Sequence, residues 1–257
     1  MLSIIKGESK GIIHATFPAH PTGYPLLVSV YDAISKVHIK NKPSYCNSRL
    51  GVGGQLKNAD LSIEINGRFG QIGLILMPTA LYYLFQKPGT FFLNSTKDFE
   101  DITPLTFQNL LSELSACKQP EDHLPILFNV IEQLAKNRLP AIEWLDASLH
   151  YIFEANGLIS QTELAEKCAI STRHFRRRFK EIIGVPPKYY CKVIQLNTIF
   201  QLLKTANSDG LHRMALDCGY YDQAHFIKDF NQIIGSSPKR FLKGKDAYLQ
   251  TYLGRKA

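Results

Sequence analysis

One stretch of this chain occurs twice, and the repeat restricts what the second half can fold into. The first copy reads LAEKCAISTRHFRRRFKEIIGVPPK (164–188), and the second reads MALDCGYYDQAHFIKDFNQIIGSSPK (214–239). Equivalent residues lie fifty positions apart up to the cysteine and fifty-one apart from the histidine onward. The identical pairs include Ala165 and Ala215, Cys168 and Cys218, His174 and His225, Phe175 and Phe226, and Phe179 and Phe230. A one-residue insertion in a turn, with identities on both sides, indicates a duplicated structural unit.

Each copy predicts two helices joined by a turn of about three residues, which is helix-turn-helix geometry. Ser160, three residues before Glu163, has capping-box spacing and predicts a helix that starts just after it. Ser171 predicts the N-cap of the next helix, from Thr172 to about Ile183. The second helix of such a unit can enter the DNA major groove. A helical bundle that binds nothing would show the same core pattern, so the outer face must distinguish the two.

The outer face of the first copy is basic. Arg173, Arg176, Arg177 and Lys180 lie three and four positions apart, on or beside one side of the predicted helix. A merely solvated helix usually alternates acids with bases for i,i+4 pairing, yet no acid lies between Thr172 and Lys180. Arginine forks suit guanine edges and phosphate oxygens alike. The chain carries a net charge of +8, with most of the excess after residue 140. DNA binding is therefore favoured over a solvated face.

Composition argues against several other classes. A hydrophobic fraction of 45% and a charged fraction of 20% are typical of a soluble globular protein. The sequence shows neither an apolar run of membrane-spanning length nor a secretory signal, so we expect a cytoplasmic protein without a membrane partner. The five cysteines form no CxxC pair and have no histidine at ligand spacing, so we expect no metal and no cofactor.

Residues 141–242 resemble the DNA-binding region of the AraC/XylS family of bacterial transcription regulators, in which a long helix joins two helix-turn-helix units. The family pattern A-x-x-C-G-[FY], F-x-x-x-F, G-x-[ST]-P-x-x-[FY] appears at residues 215–220, 226–230 and 235–241. The resemblance implies two recognition helices about 34 Å apart along double-stranded operator DNA. It also implies RNA polymerase as a partner if the protein is an activator. The base-reading residues that the resemblance implies are Arg173, Arg176 and Arg177 in the first unit and Gln223, Ala224, Ile227 and Lys228 in the second. Further expected DNA contacts are Lys180, Lys188, Lys239 and Arg240.

The second unit departs from the family pattern in its charges. Gln195 and Thr198 stand in the linker helix where the family usually has arginines, and Asn231 replaces a common basic residue. Asp229 adds an acid to the second recognition helix, whereas Asp222 is expected to be its N-cap. Ala169 replaces the turn glycine that the second copy keeps as Gly219. We therefore expect the first unit to dominate affinity and the second to contribute register and weaker contacts.

The first half predicts a different architecture, with short β-rich segments at 25–33, 36–40, 61–67 and 69–77. Glycine-rich segments 51–55 and 66–70 predict turns. Helices are predicted at 78–86, 103–116 and 121–137. The fold class is thus a two-domain α+β protein, with a small antiparallel β barrel or sandwich followed by an all-α domain. The predicted divisions are 1–140, 141–245 and a basic tail at 246–257.

Residues 70–102 resemble, more faintly, the amino-terminal domains attached to some of these regulators. That resemblance implies a domain that binds a small-molecule effector or forms a homodimer. Tyr82, Tyr83 and Phe85 fit either a ligand pocket or core packing. His14, His20 and His38 could be imagined as cupin-type metal ligands, but without an HxH motif or an accompanying Glu they are better explained as solvated or core residues.

Two other functions fit parts of the sequence. A non-specific or architectural DNA binder would need the same basic helix. An enzyme with an appended DNA-binding region, such as a cysteine-dependent alkyl-transfer repair protein, would need an activated thiol. Cys46 is the one cysteine in a polar loop setting, and no neighbouring His or Glu in the sequence would activate it.

Overall fold

The fold is described here from a computed structural model of the chain. The described residues are 3–9, 11–32, 35–39, 42–45, 49–57, 61–103, 105–107, 109–203 and 211–243. Within them, antiparallel sheets fill the N-terminal part and helices the C-terminal part, so the predicted α+β division is confirmed. Among these residues, no helix combines the length and the apolar character that a membrane crossing needs.

Nine strands make two antiparallel sheets in the described part of the N-terminal region. They are β1 (Ser3–Glu8), β2 (Ile13–Pro18), β3 (Leu26–Asp32), β4 (Ser35–Ile39), β5 (Lys42–Tyr45), β6 (Leu50–Gly53), β7 (Leu61–Gly67), β8 (Phe69–Ile75) and β9 (Thr96–Asp98). One sheet has the order β1-β8-β3-β6-β9, and the other has the order β2-β7-β4-β5. The four strands predicted from the sequence correspond to β3, β4, β7 and β8, and the turn predicted at 66–70 is the β7–β8 connection.

The turn predicted at 51–55 is wrong, because β6 occupies most of it. Leu50 and Val52 are fully buried, and β6 pairs with both β3 and β9. Glycine adopts extended backbone as readily as a turn conformation, so a glycine-rich run alone does not distinguish the two. Position 54 has no room for a side chain, since a Cβ on Gly54 would lie 2.2 Å from the Phe92 carbonyl oxygen. Gly54 thus permits close approach of neighbouring backbone rather than a reversal.

Four helices cover the five-stranded sheet: α1 (Ala80–Phe85), α2 (Phe99–Ile102), α3 (Leu110–Ala116) and α4 (His123–Lys136). Their buried side chains form one cluster with Leu27, Leu74 and other residues of that sheet. The helix predicted at 103–116 begins only at Leu110, because Thr103 instead accepts a hydrogen bond from the Leu105 N–H at 3.2 Å in a local turn. The predictions for 78–86 and 121–137 are confirmed to within a few residues.

Seven helices follow in the described part of the C-terminal region. They are α5 (Glu143–Glu154), α6 (Gln161–Lys167), α7 (Thr172–Ile183), α8 (Pro187–Leu203), α9 (Leu211–Asp217), α10 (Gln223–Ile234) and α11 (Pro238–Lys243). The tail predicted at 246–257 lies outside the described residues. The domain boundary at residue 140 stays a prediction.

The repeat accounts for the core of the helical part. Phe175, Phe179, Phe226 and Phe230 are all at most 2% exposed, and their rings meet edge-on or tilted at about 5.5 Å within each copy. Ala165 and Ala215 are also buried, at the positions where the second helix of each unit crosses. Burying four phenylalanines contributes roughly 2 kcal/mol or more for each side chain, so these apolar positions define the units.

Candidate nucleic-acid interface

The first recognition helix, α7, presents its cations to solvent. Ser171 caps it through a hydrogen bond accepted from the His174 N–H at 3.3 Å, as predicted, and Gly184 ends it with a left-handed φ of 98°. Phe175 and Phe179 anchor the inner side, which fixes the orientation of the outer side. All four predicted contact residues of this helix are exposed: Arg173, Arg176, Arg177 and Lys180.

These four cations are free to meet an anion. Glu181 is the acid in α7, and it pairs with Arg178 at 2.9 Å. Arg178 is half-buried, and a hydrogen bond with the Tyr82 side chain of the N-terminal region raises its pKa, so this fifth cation of the run is engaged within the protein. Among the described residues, no ion pair involves the four exposed cations. Their charge is therefore not neutralised within that part of the chain.

The second recognition helix, α10, is weaker in charge. Gln223, Ala224 and Lys228 are exposed, but Ile227 is half-buried against the apolar core and offers less surface than the resemblance implies. Asp222 is the N-cap, as predicted, because its side chain accepts from the His225 N–H at 2.7 Å. Lys228 is charged, whereas the other base-reading residues predicted for this helix are neutral.

Asp229 does not face the outside. It is 4% exposed and accepts a hydrogen bond from Lys192 Nζ of α8 at 2.6 Å, while His225 Nε2 lies 3.3 Å from its other oxygen. The carboxylate thus links the linker helix to the second recognition helix instead of repelling an anion. Sequence reasoning missed Lys192 as the partner, because the pair joins residues 37 positions apart and no local pattern signals it.

The linker residues that depart from the family pattern also have internal partners. Gln195 is 8% exposed, and its Nε2 donates to the Cys218 carbonyl oxygen at 2.7 Å, in the turn of the second unit. Thr198 Oγ1 bonds to the Ile194 carbonyl oxygen within its own helix at 3.2 Å. Both side chains thus have hydrogen-bond partners within the described part of the protein. Helix α8 uses Gln195 and Lys192 to hold the second unit in place.

The turn of the first unit is strained relative to its copy. Ala169 has a φ of 52°, and Gly219 at the equivalent position has a φ of 82°. An L-residue with a Cβ in the left-handed region costs about 1 kcal/mol relative to glycine. The first unit therefore adopts the same turn geometry as the second at an energetic cost. The replacement of the turn glycine by Ala169 does not change the fold.

Three further predicted contacts lie at helix starts. Lys188 is exposed in the first turn of α8, and Lys239 and Arg240 are exposed in the first turn of α11. The Arg240 N–H bonds to the Ser237 hydroxyl at 3.3 Å, which holds the start of α11. Backbone N–H groups and cations at a helix N-terminus suit a phosphate group.

The aromatic residues proposed for a pocket have other roles. Phe85 is 2% exposed in the core, which agrees with the core alternative. The Tyr83 hydroxyl donates to Asp146 Oδ2 at 3.0 Å and accepts from the Ile142 N–H at 2.8 Å. Tyr82 bonds to Arg178. Tyr82 and Tyr83 therefore join the sheet region to the helical region.

The described thiols lack the features of a catalytic nucleophile. Burial raises the pKa of Cys191 to about 12 and raises the pKa values of Cys168 and Cys218, which disfavours the reactive thiolate. Cys46 lies outside the described residues, so the repair-enzyme alternative rests on a residue the structure does not describe. Among the described residues, no group of three His, Cys, Asp or Glu side chains could hold a metal ion. His14 instead hydrogen-bonds Asn66 at 3.1 Å, and the side chain of His38 lies outside the described part.

Comparisons with known proteins agree with this geometry. Residues 164–244 match a family model described as a helix-turn-helix domain. The transcriptional activator RhaS of Escherichia fergusonii is 32% identical over 92 residues, which cover 36% of this chain and 33% of RhaS. RhaS of Escherichia coli is 28% identical over 109 residues, which cover 42% of this chain and 37% of RhaS. The chain thus aligns with little more than a third of these curated relatives.

Among solved structures, ToxT from Vibrio cholerae has a TM-score of 0.52 and 10% identity, covering 94% of this chain and 97% of ToxT. A ToxT structure with a bound unsaturated fatty acid has a TM-score of 0.50 and 12% identity, covering 94% of each chain. At these identities the likeness concerns the fold alone. Fold and site together define a tandem helix-turn-helix protein with a β-rich domain ahead of it. The match of residues 164–244 and the alignments with RhaS agree with the resemblance of the helical region to the AraC/XylS family.

Proposed function

We propose that this protein is a sequence-specific DNA-binding transcription regulator whose helices α7 and α10 enter two successive major-groove segments on one side of the duplex. The observation that carries the proposal is the set of four exposed cations on α7, none of which forms an ion pair within the described residues. The relatives named as transcriptional activators support it. The protein would act in the cytoplasm, and it would contact RNA polymerase if it activates transcription.

Affinity in this proposal is divided unequally between the two units. Each cation that neutralises a phosphate releases condensed counterions, and each arginine that reads guanine adds discrimination of about 1–3 kcal/mol. The first unit can do both with Arg173, Arg176 and Arg177. The second unit has Lys228 and the neutral Gln223, so it supplies register and weaker contacts. Lys188, Lys239 and Arg240 would hold phosphates at the helix starts.

Arg176→Ala should weaken binding about tenfold or more, and Lys228→Ala should weaken it less, because Arg176 has the forked geometry of a base reader. Each variant should also reduce the salt slope by about one unit. The measurement is a fluorescence-anisotropy titration at several salt concentrations, with a duplex selected by this protein from a random pool.

Lys118→Ala is the matched control, since it removes an exposed cation from the N-terminal region, far from the recognition helices in the chain. It should change neither affinity nor slope. Equal or negligible losses for Arg176→Ala and Lys228→Ala would contradict the division of affinity. A broad footprint with full competition by bulk DNA would favour the architectural alternative instead.

The N-terminal region is proposed to sense a small, mainly apolar effector. A cavity of about 80 Å³ lies beside Thr22, Tyr24, Leu26, Gly53 and Gln55. The same loop contacts α8, since Tyr190 donates to the Gly23 carbonyl oxygen at 3.0 Å. The fatty acid bound to ToxT supports this class of effector. Homodimer formation through this region is the other proposal for it.

A fatty acid whose tail end enters this cavity should raise the Tm of the protein and change its affinity for the selected duplex, since a ligand that prefers one state stabilises it. A thermal-shift series with saturated and unsaturated fatty acids, followed by anisotropy with the active ones, measures both effects. Failure of every fatty acid to shift the Tm would contradict this effector class and leave the DNA-binding proposal intact.

A further inference from the structure

The structure identifies the extra residue of the second copy as Tyr221. Ser171 and Asp222 make the same N-cap hydrogen bond, to the N–H three residues later, in α7 and α10. Ala169 and Gly219 have the same left-handed turn conformation. Between these matched points the first unit has Ile170, and the second has Tyr220 and Tyr221.

Tyr220 takes the core position. It is 3% exposed, and its ring lies 5.3 Å from the ring of Phe226 in an edge-on contact. Tyr221, the next residue, is 89% exposed. A ring this exposed adds little to the core, and its hydroxyl group is accessible to a binding partner. Core packing therefore does not explain the insertion.

Tyr221 lies immediately before the N-cap of the second recognition helix. Consecutive Cα atoms are about 3.8 Å apart, so Tyr221 lies within about 8 Å of Gln223, the first predicted base reader. The N-terminal residues of a recognition helix contact base edges, and the major groove is about 12 Å wide. A tyrosine just outside that helix end is therefore within reach of the phosphates that line the groove.

The charge of the second unit favours a neutral donor at this place. Asp222, beside Tyr221, uses its carboxylate for the N-cap, and a cation next to it would be drawn into a local pair. A phenol O–H can donate to a phosphate oxygen without that competition. The first unit, which has three exposed arginines, lacks an equivalent residue.

We propose that Tyr221 is a DNA-positioning residue, whose hydroxyl group donates a hydrogen bond to a phosphate oxygen of the groove wall at the second half of the site. This inference rests on the proposed DNA-binding function. The contact fixes the register of α10 on the duplex. It also adds affinity that the small positive charge of α10 does not supply.

Tyr221→Phe tests the hydroxyl group directly, and Tyr221→Ala removes the whole side chain. Both should weaken binding to the selected duplex by a similar factor, three- to tenfold, without a change in salt slope, because a neutral group releases no counterion. Neither should alter the Tm, since the side chain is exposed. A scan of methylphosphonate substitutions in the duplex should find one phosphate whose neutral replacement weakens the native protein but not Tyr221→Phe.

Ile12→Ala removes another exposed apolar side chain, 73% exposed in the N-terminal region, and should leave binding unchanged. Native-like binding by Tyr221→Phe would overturn the proposal, whether or not Tyr221→Ala loses affinity. The proposal is also overturned if no methylphosphonate substitution affects the native protein and Tyr221→Phe differently. If Arg176→Ala loses affinity in these assays while Tyr221→Phe binds normally, the DNA-binding proposal is supported and only the proposal for Tyr221 is wrong. If the native protein selects no duplex, the proposed function itself falls.

Discussion

Replacing Asp229 with asparagine should lower the free energy of unfolding by about 2 kcal/mol and should not strengthen DNA binding. Removal of one partner of a buried ion pair costs roughly 3–5 kcal/mol, because the remaining charge stays buried and unpaired. Lys192, whose side chain is 28% exposed, can recover part of its hydration, which reduces the expected loss. Urea unfolding gives the free energy, and anisotropy with the selected duplex gives the affinity.

The double variant Lys192→Met with Asp229→Leu is the control for this prediction. It removes both charges and restores apolar packing, so it should be more stable than Asp229→Asn. If Asp229 instead faced the DNA, its removal would raise affinity at no cost in stability. That outcome would contradict the inward placement of the carboxylate seen in the structure.

The helical half could be predicted almost completely from the sequence, because its signals are local. Ser160, Ser171 and Asp222 are caps that lie a few residues from the N–H groups they bond. The phenylalanines are spaced four apart, so their common face follows from helix geometry alone. The exposed arginines followed from the same periodicity, since the face opposite a buried face must be outside.

The sheet half could be predicted only in part, because strands depend on partners elsewhere in the chain. The β1 strand is an edge strand with polar and glycine positions, and its pairing with β8 spans most of the N-terminal region. The short strand β9 exists because it pairs with β6. Neither has a sequence pattern that distinguishes it from a loop. For the same reason, the glycines of β6 led to the wrong prediction of a turn at 51–55.

The contacts between the two halves were also beyond local reasoning. Tyr83 bonds to Asp146, Tyr82 to Arg178, and Asn197 Nδ2 to the Thr22 carbonyl oxygen at 2.6 Å. Each joins residues more than 60 positions apart, and each side chain alone looked like a core or surface residue. Together they place the sheet region against α5, α7 and α8. The first recognition helix is thus held on one side by the domain proposed to sense an effector.

The tightest of these contacts is backbone against backbone. The 3-10 helix Gly89–Phe92 lies against the C-terminal end of α7, and Gly89 and Gly184 face each other. A Cβ on Gly89 would lie 2.2 Å from the Ile182 carbonyl oxygen, and a Cβ on Gly184 would lie 2.7 Å from the Gly89 carbonyl oxygen. Backbone atoms cannot move aside by a change of rotamer, so a methyl group at either position would have to separate the two elements.

Gly89→Ala should therefore cost about 3 kcal/mol, the upper end of the usual range for overpacking. Because the strain falls between the sheet region and α7, unfolding should change from one calorimetric transition to two, with the sheet region and the helical region melting separately. Differential scanning calorimetry measures both effects, and limited proteolysis near residues 137–142 should become faster as the two regions separate.

The chain supplies two matched controls for this last prediction. Gly11→Ala makes the same change where no atom lies within 4 Å, and it should be neutral. Gly184 and Gly235 end α7 and α10 with φ values of 98° and 81°, but only Gly184 would meet other backbone. Gly235→Ala should thus cost about 1 kcal/mol from the left-handed conformation alone, and Gly184→Ala should add the cost of the contact. Equal losses in Gly184→Ala and Gly235→Ala, with a single transition in Gly89→Ala, would mean that this contact does not hold the first recognition helix against the sheet region.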